Sequence, residues 1–387
     1  PASVTKLFSC AAALCELGAD YRFQPPGLRR GKVKKGRLDG DLILVAQGDL
    51  CFGGRNDNGK ILFHNHDHTY ANVSTSAQLA GCDPMMGLKD LARQIKKAGI
   101  KVVEGEVLID DRLFDRARGS GSGPDILSPI IVNDNVIDII ITPGKKVGDP
   151  ASVRTIPQTS FVQMDAQVKT VEKGKGSLTL LDLAGERGFT VRGWMGIDHR
   201  PLVRIYPVRD PSRLARAYFI DALRKEGIEV EASAFREPKV DLPKPEAMKD
   251  LARVAEHVSL PLSEMVKVIL KVSHNLYAST LPLLIAAKHG KRDLRDGLRL
   301  QGKMLKKLGV DISAISFAGG AGGSNADRVT PRETVRLLQG MAKRPEWKVY
   351  RVAMPVLGVD GTLVDAVPKE RPARGKVFAK TGTLGWT

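Results

Sequence analysis

The chain has 387 residues, a formal net charge of +17 and 42% hydrophobic residues, enough to bury two or more cores beneath a surface that attracts anions. No apolar run in it approaches the length of a membrane-crossing helix. Aromatic residues make up only 5%, and none interrupts the basic run from Arg29 to Arg37, which argues against a nucleic-acid partner.

In chain order, residues 1–19 read as a helix, with Leu7, Ala11 and Leu14 at helical spacing. Ser3 at its start places Lys6 on the same face one turn on. The positive end of the helix favours a developing alkoxide and disfavours a protonated lysine. Ser3 is therefore a candidate nucleophile and Lys6 its base. Cys10 and Cys15 in this helix read as small core residues. Cys51 and Cys82 are candidates for a disulfide in an oxidising compartment, although spacing alone pairs no cysteines.

Short strands and turns are expected from Tyr21. His64-Asn65-His66-Asp67-His68 alternates as a zinc-binding stretch does, but no second His or Cys cluster accompanies it. A polar loop is expected there, with no metal and no cofactor. Leu88, Leu91, Ala92 and Ile95 predict a helix over 87–98 that Gly99 ends. A strand over 101–110 and a loop over 119–124 follow. Residues 146–203 are strand-rich, with glycine turns at Gly174, Gly176, Gly185 and Gly188. A helix is expected over Ser212–Glu226, and Pro243 and Pro245 mark a linker.

The apolar helical stretch Met265–Val272 leads into Ser273-His274-Asn275. If that turn is extended, Ser273 and Asn275 point to one side. Ser273 would then relay a proton, and Asn275 would hold a substrate amide and Lys6. Gly319–Gly323 is no phosphate loop, because no Lys-Ser or Lys-Thr follows at the needed spacing. Residues 376–383 read as a strand. On it Lys380 supplies a positive charge and Thr381 a hydroxyl for a substrate carboxylate, while Gly382 lets a peptide lie close. The backbone N–H groups of Thr383 and Ser3 form the natural oxyanion-hole pair.

Taken together, SxxK, SxN and KTG in this order resemble the motif set of penicillin-recognising acyl-serine enzymes. The stretch Gly36–Val45 with Gln47-Gly48-Asp49 resembles the GxLxGDLxLxGxGD stretch of class C low-molecular-mass penicillin-binding proteins, the D-Ala-D-Ala carboxypeptidase/endopeptidase family. Asn133-Asp134-Asn135-Val136, Thr142-Pro143-Gly144, Arg209-Asp210-Pro211, Ser259–Leu262 and Pro355–Leu363 are similar to further family stretches. One loop departs: the family's DGSGLSRxNRVTP-like segment has Gly319, Ala321 and Asn325 here in place of its acidic residue, first Ser and Arg.

The resemblance implies an α+β fold, a transpeptidase/β-lactamase-like catalytic domain of antiparallel sheet and helices interrupted by nested insertions. The expected division is 1–19 with 256–387 as catalytic domain, 20–145 with 204–255 as outer insert, and 146–203 as inner insert. The family has further strands before SxxK and further strands and a helix after KTG, so both ends of the catalytic domain are expected to lie outside these residues. The implied substrates are peptidoglycan stem peptides, with β-lactams as covalent inhibitors, in an exported protein of the periplasm or cell wall. The basic surface would suit anionic cell-wall polymers or a membrane surface. A β-lactamase is the less favoured reading, since none of Glu333, Glu346 and Glu370 has Asn four residues on. A non-catalytic peptidoglycan-binding relative is the other alternative, suggested by the altered loop.

Overall fold

The computed structural model describes residues 1–159, 161–183 and 187–384. A short 3-10 turn, Ala2–Val4, leads into helix α1 (Thr5–Leu17). Residues 5–14 of α1 are all buried, because small side chains such as Ala11, Ala12 and Ala13 let neighbouring helices approach on every side. The helix ends at Gly18, whose φ of 103° reverses the chain while its N–H reaches Leu14 O at 3.0 Å.

The chain then leaves this body and returns to it. Residues 19–25 and 257–263 run side by side, joined by Ser263 N to Ala19 O at 2.9 Å, Leu262 N to Tyr21 O at 2.8 Å and Ser259 N to Phe23 O at 3.0 Å. Pro26 then faces Glu256 as strands Pro26–Lys34 and Ala252–Glu256 pair antiparallel. Everything between is an insertion with adjacent ends, and among the described residues every strand lies within it. Strands Pro26–Lys34 and Arg37–Val45 form a hairpin at the centre of its larger sheet. Helices α2 (Met86–Lys97) and α3 (Pro211–Lys225) supply Leu88, Leu91, Ile95, Leu214, Phe219 and Leu223 to the core beneath that sheet.

Strand Val136–Thr142 sits between Ser152–Ile156 and Leu202–Pro207 in a second sheet. It is almost wholly buried, as its near-continuous apolar sequence demands. A third sheet has Gly188–Gly196 between Gln163–Val171 and Gly176–Asp182.

Back in the helical body come α4 (Leu262–Lys271), α5 (Asn275–Lys288), α6 (Leu294–Lys307), α7 (Pro331–Ala342) and α8 (Trp347–Ala353). Their apolar faces close over α1 in one core. The fold is α+β. Among the described residues, no helix is long and apolar enough to cross a membrane.

Candidate active site

Ser3 lies in the 3-10 turn rather than in α1 itself. The tighter turn still brings its hydroxyl over Lys6, with Nζ to Oγ at 2.8 Å. Lys6 is fully buried, and its Nζ also meets Asn275 Oδ1 at 2.7 Å and the Ala321 carbonyl at 2.7 Å. Among the described residues, no carboxylate bonds to it. Burial, and then the charge of Lys380, push its pKa well below the ordinary lysine range.

That environment defines the proton arrangement. A neutral amine has two N–H donors and one lone pair. Two of its three neighbours, Asn275 Oδ1 and Ala321 O, can only accept. In the neutral form of Lys6 the lone pair is thus left for its third neighbour, the Ser3 hydroxyl, 2.8 Å from Nζ. Hydroxyl and base thus stand in the relation that serine activation needs.

The segment joining α4 to α5 is not extended. α5 starts at Asn275, capped by His274, whose Nδ1 accepts from Tyr277 N at 3.3 Å. The chain must therefore reverse within Ser273, which has φ 64° and is buried. The expected alternation of Ser273 and Asn275 along an extended turn is thus corrected: Asn275 reaches Lys6 from the first turn of a helix. No hydrogen bond of the Ser273 hydroxyl is formed among the described residues.

Residues 376–383 also differ from expectation. They form a single bridge, Val356 with Phe378, flanked by Leu357 N to Val377 O at 2.9 Å and Ala379 N to Pro355 O at 3.0 Å. Beyond Ala379 the segment runs against the Ala2–Val4 turn, which offers no extended edge to continue a ladder. A Cβ on Gly382 would lie 2.8 Å from Pro1 O and 3.3 Å from Ser3 N, so only glycine lets KTG approach Ser3 this closely. Thr381 Oγ1 is 2.7 Å from Thr362 Oγ1. Lys380 Nζ donates to Thr381 O at 2.8 Å, and burial lowers its pKa to about 7. Thr383 is exposed beside them.

Sequence reasoning missed two contributions to this cleft. The first is backbone. Ala321 supplies its carbonyl to Lys6, and the glycines around it are there for space: a Cβ on Gly322 would lie 1.8 Å from Ala2 O. From the insertion, Ser122 O accepts from Asn275 Nδ2 at 2.9 Å and Ser120 Oγ accepts from Gly323 N at 3.1 Å. The glycine-rich composition of both loops was the available signal.

The second is a buried ionic cluster behind Ser273. Arg55 pairs with Asp67 at 2.8 Å and Asp134 at 2.6 Å, and His68 bridges Asp134 at 2.7 Å and Asp138 at 2.6 Å. Tyr277 donates its hydroxyl to Asp134. Burial alone would raise the Asp134 carboxyl, but Arg55, His274 and His68 hold it well below the usual carboxylate range. Burial likewise opposes charge on His68, yet Asp138 and Asp134 keep its pKa well above the ordinary histidine value. Asp134 between two asparagines, ahead of an apolar strand, was visible in the sequence, but its partners were not.

The 64–68 segment divides. His68 and Asp67 enter the cluster, whereas His66 pairs with Asp365 at 3.2 Å and Asn65 Oδ1 accepts from Gly361 N at 2.7 Å. Cys10, Cys15, Cys51 and Cys82 are unbridged in this structure, and Cys51 and Cys82 line one cavity of about 250 Å³.

Comparisons agree with this geometry. Residues 1–385 match the model of the D-Ala-D-Ala carboxypeptidase 3 (S13) family. The chain is 27% identical to a D-alanyl-D-alanine carboxypeptidase of Actinomadura sp. (strain R39), over 99% of this chain and 68% of that one. It is 25% identical to the D-alanyl-D-alanine carboxypeptidase DacB of Haemophilus influenzae, over 99% and 74%. The crystal structure of penicillin binding protein 4 (dacB) from H. influenzae superposes with a TM-score of 0.72 at 24% identity, covering 99% of this chain and 79% of that one. The same protein in complex with a β-lactam gives a TM-score of 0.69 at 23% identity.

Proposed function

The chain belongs to the D-Ala-D-Ala carboxypeptidase 3 (S13) family, and from that premise we propose that its cleft hydrolyses the D-Ala-D-Ala end, or a D-amino-acid crosslink, of peptidoglycan stem peptides. The observation that carries this reading is the Lys6 environment: a buried amine between two obligate acceptors, 2.8 Å from the Ser3 hydroxyl.

Ser3 attacks the penultimate carbonyl as Lys6 takes its proton. The oxyanion forms between the N–H groups of Ser3 and Thr383. Lys380 and Thr381 hold the terminal carboxylate, and Gly382 leaves room for the peptide beside Ser3. Asn275 holds the substrate amide and Lys6. Ser273 passes a proton to the departing D-Ala nitrogen. Water then attacks the acyl-Ser3 ester, the carboxyl product leaves, and Ser3 regains its proton. A β-lactam enters by the same attack, but its ring-opened amine stays attached, so the ester persists.

We place the protein outside the cytoplasm, where this substrate is found. Its charge of +17 suits anionic wall polymers or a membrane surface. The hairpin over 26–45 supports that association, since Lys32, Lys34 and Lys35 on it are not paired to any acid among the described residues. The Lys6 environment favours an enzyme over a binding-only relative.

The test is intact-mass measurement after benzylpenicillin. The wild-type chain should gain one penicilloyl mass, mapped to Ser3, and Ser3→Ala should gain none. Absence of the adduct on wild type, or its appearance elsewhere, would overturn the assignment.

A further inference from the structure

Ser273 holds a left-handed backbone conformation, φ 64°, without being glycine. Such a residue is strained and persists only where its surroundings hold it. Its carbonyl accepts a hydrogen bond from the Tyr70 hydroxyl. Tyr70 belongs to the insertion, more than 200 residues away in sequence.

Tyr70 is itself fixed. It ends the one-turn 3-10 helix His68–Tyr70, which Asp67 caps by accepting from Thr69 N at 3.1 Å and from Thr69 Oγ1 at 2.7 Å. Asp67 is held by Arg55, and the His68 ring is gripped by carboxylates on both nitrogens. Every residue of that turn is thus tied into the ionic cluster, directly or through its neighbour.

The same cluster meets the far side of the Ser273 peptide. The His274 ring stacks on Tyr277 with centroids 3.8 Å apart. Its Nδ1 accepts from Tyr277 N, which leaves the proton on Nε2, facing Asp134 Oδ1 at 3.7 Å. The cluster thus flanks the peptide on both sides: it anchors Tyr70 at the Ser273 carbonyl, and its Asp134 faces the His274 ring at 3.7 Å.

We propose that Tyr70 is a positioning residue for acyl transfer, its hydroxyl holding the Ser273 peptide in the left-handed conformation from which the Ser273 side chain serves the cleft, with the Arg55–Asp67–His68–Asp134 cluster as its anchor. The insertion is thereby part of the catalytic apparatus and not an appended body. This rests on the acyl-serine reading above.

The experiment measures benzylpenicillin acylation by stopped flow, separating the acylation rate constant from the affinity of the initial complex. Tyr70→Phe removes one oxygen atom. It should slow acylation roughly tenfold, the equivalent of one hydrogen bond, with initial affinity within about twofold and melting temperature little changed. In a Ser273→Ala background the same change should have almost no effect, because the group that Tyr70 positions is gone. Equal effects in both backgrounds, or no effect in the first, would overturn the proposal. His68→Gln keeps the Tyr70 hydroxyl while loosening its turn, and should slow acylation in the same direction by a smaller factor. It supplies the decision if Tyr70→Phe does not fold. Failure of wild type to react at all would instead overturn the acyl-serine reading.

Discussion

Lys6 and Arg55 are both cationic residues taken out of water, with 0% and 3% exposure, and the protein uses them in opposite ways. Lys6 is surrounded by a hydroxyl, an amide oxygen and a carbonyl, and is driven toward the neutral amine. Burial opposes the charge of Arg55 too, but Asp134 and Asp67 raise its pKa and keep it charged. Burial without a counter-charge produces a base. Burial with counter-charges produces a brace. The two sit on either side of the Ser273–Asn275 segment, one making its chemistry and the other holding its geometry.

If that contrast is right, removing each cation or its partner should fail differently. Lys6→Ala removes the base and should slow penicillin acylation by roughly 10²–10⁴-fold while leaving the fold intact. Normal acylation by that variant would break the base half of the comparison. Asp134→Ala takes one of two carboxylate partners from both Arg55 and His68 and should cost about 3–5 kcal/mol of stability in denaturant unfolding. A variant as stable as wild type would break the brace half.

Lys380 is an intermediate case, a half-buried lysine with the Thr381 carbonyl as partner and a pKa lowered to about 7. Binding a substrate carboxylate needs it charged, whereas acylation needs Lys6 neutral. The kcat/KM for a peptide ending in D-Ala should therefore rise as Lys6 loses its proton and fall as pH passes about 7 and Lys380 is neutralised. Lys380→Arg keeps its charge at any such pH and should move the alkaline limb upward. An unchanged alkaline limb in that variant would remove Lys380 from the account.

The smallest effect concerns Asn325. It is exposed and uncharged where relatives are expected to carry Arg, and Arg328 is turned back onto the Asn325 carbonyl. Stem peptides with a free or an amidated third-residue carboxylate should differ by well under a hundredfold in kcat/KM. A larger preference, near 3 kcal/mol, would mean that another cation, with Arg328 the nearest in sequence, has taken the lost role.

What the sequence made legible was local or motif-bound. The spacing of Ser3 and Lys6 gave their contact, and Leu88, Leu91, Ala92 and Ile95 gave α2 to within a residue at each end. Pro243 and Pro245 marked the way back to the helical body, although the closing strand extends to Glu256. What remained hidden depended on residues distant in sequence. Nothing near Asp134 announces Arg55, His68 or Tyr277 as its partners. His274 gave no local sign of capping α5 and facing the cluster. The loop over 319–323 stood out only as a departure from the family's pattern, yet neighbouring backbone fills the space at Gly320, Gly322 and Gly323, and the loop reaches Lys6 through the Ala321 carbonyl.

The most direct test of the central contrast is the protonation state of Lys6 itself. In protein carrying selectively ¹³C-labelled lysine, the side-chain resonance missing from Lys6→Ala can be followed by NMR as pH is varied. It should titrate well below the ordinary lysine value of 10.5. A Lys6 resonance that titrates at that ordinary value would contradict the account, because a charged Lys6 cannot take the proton of Ser3.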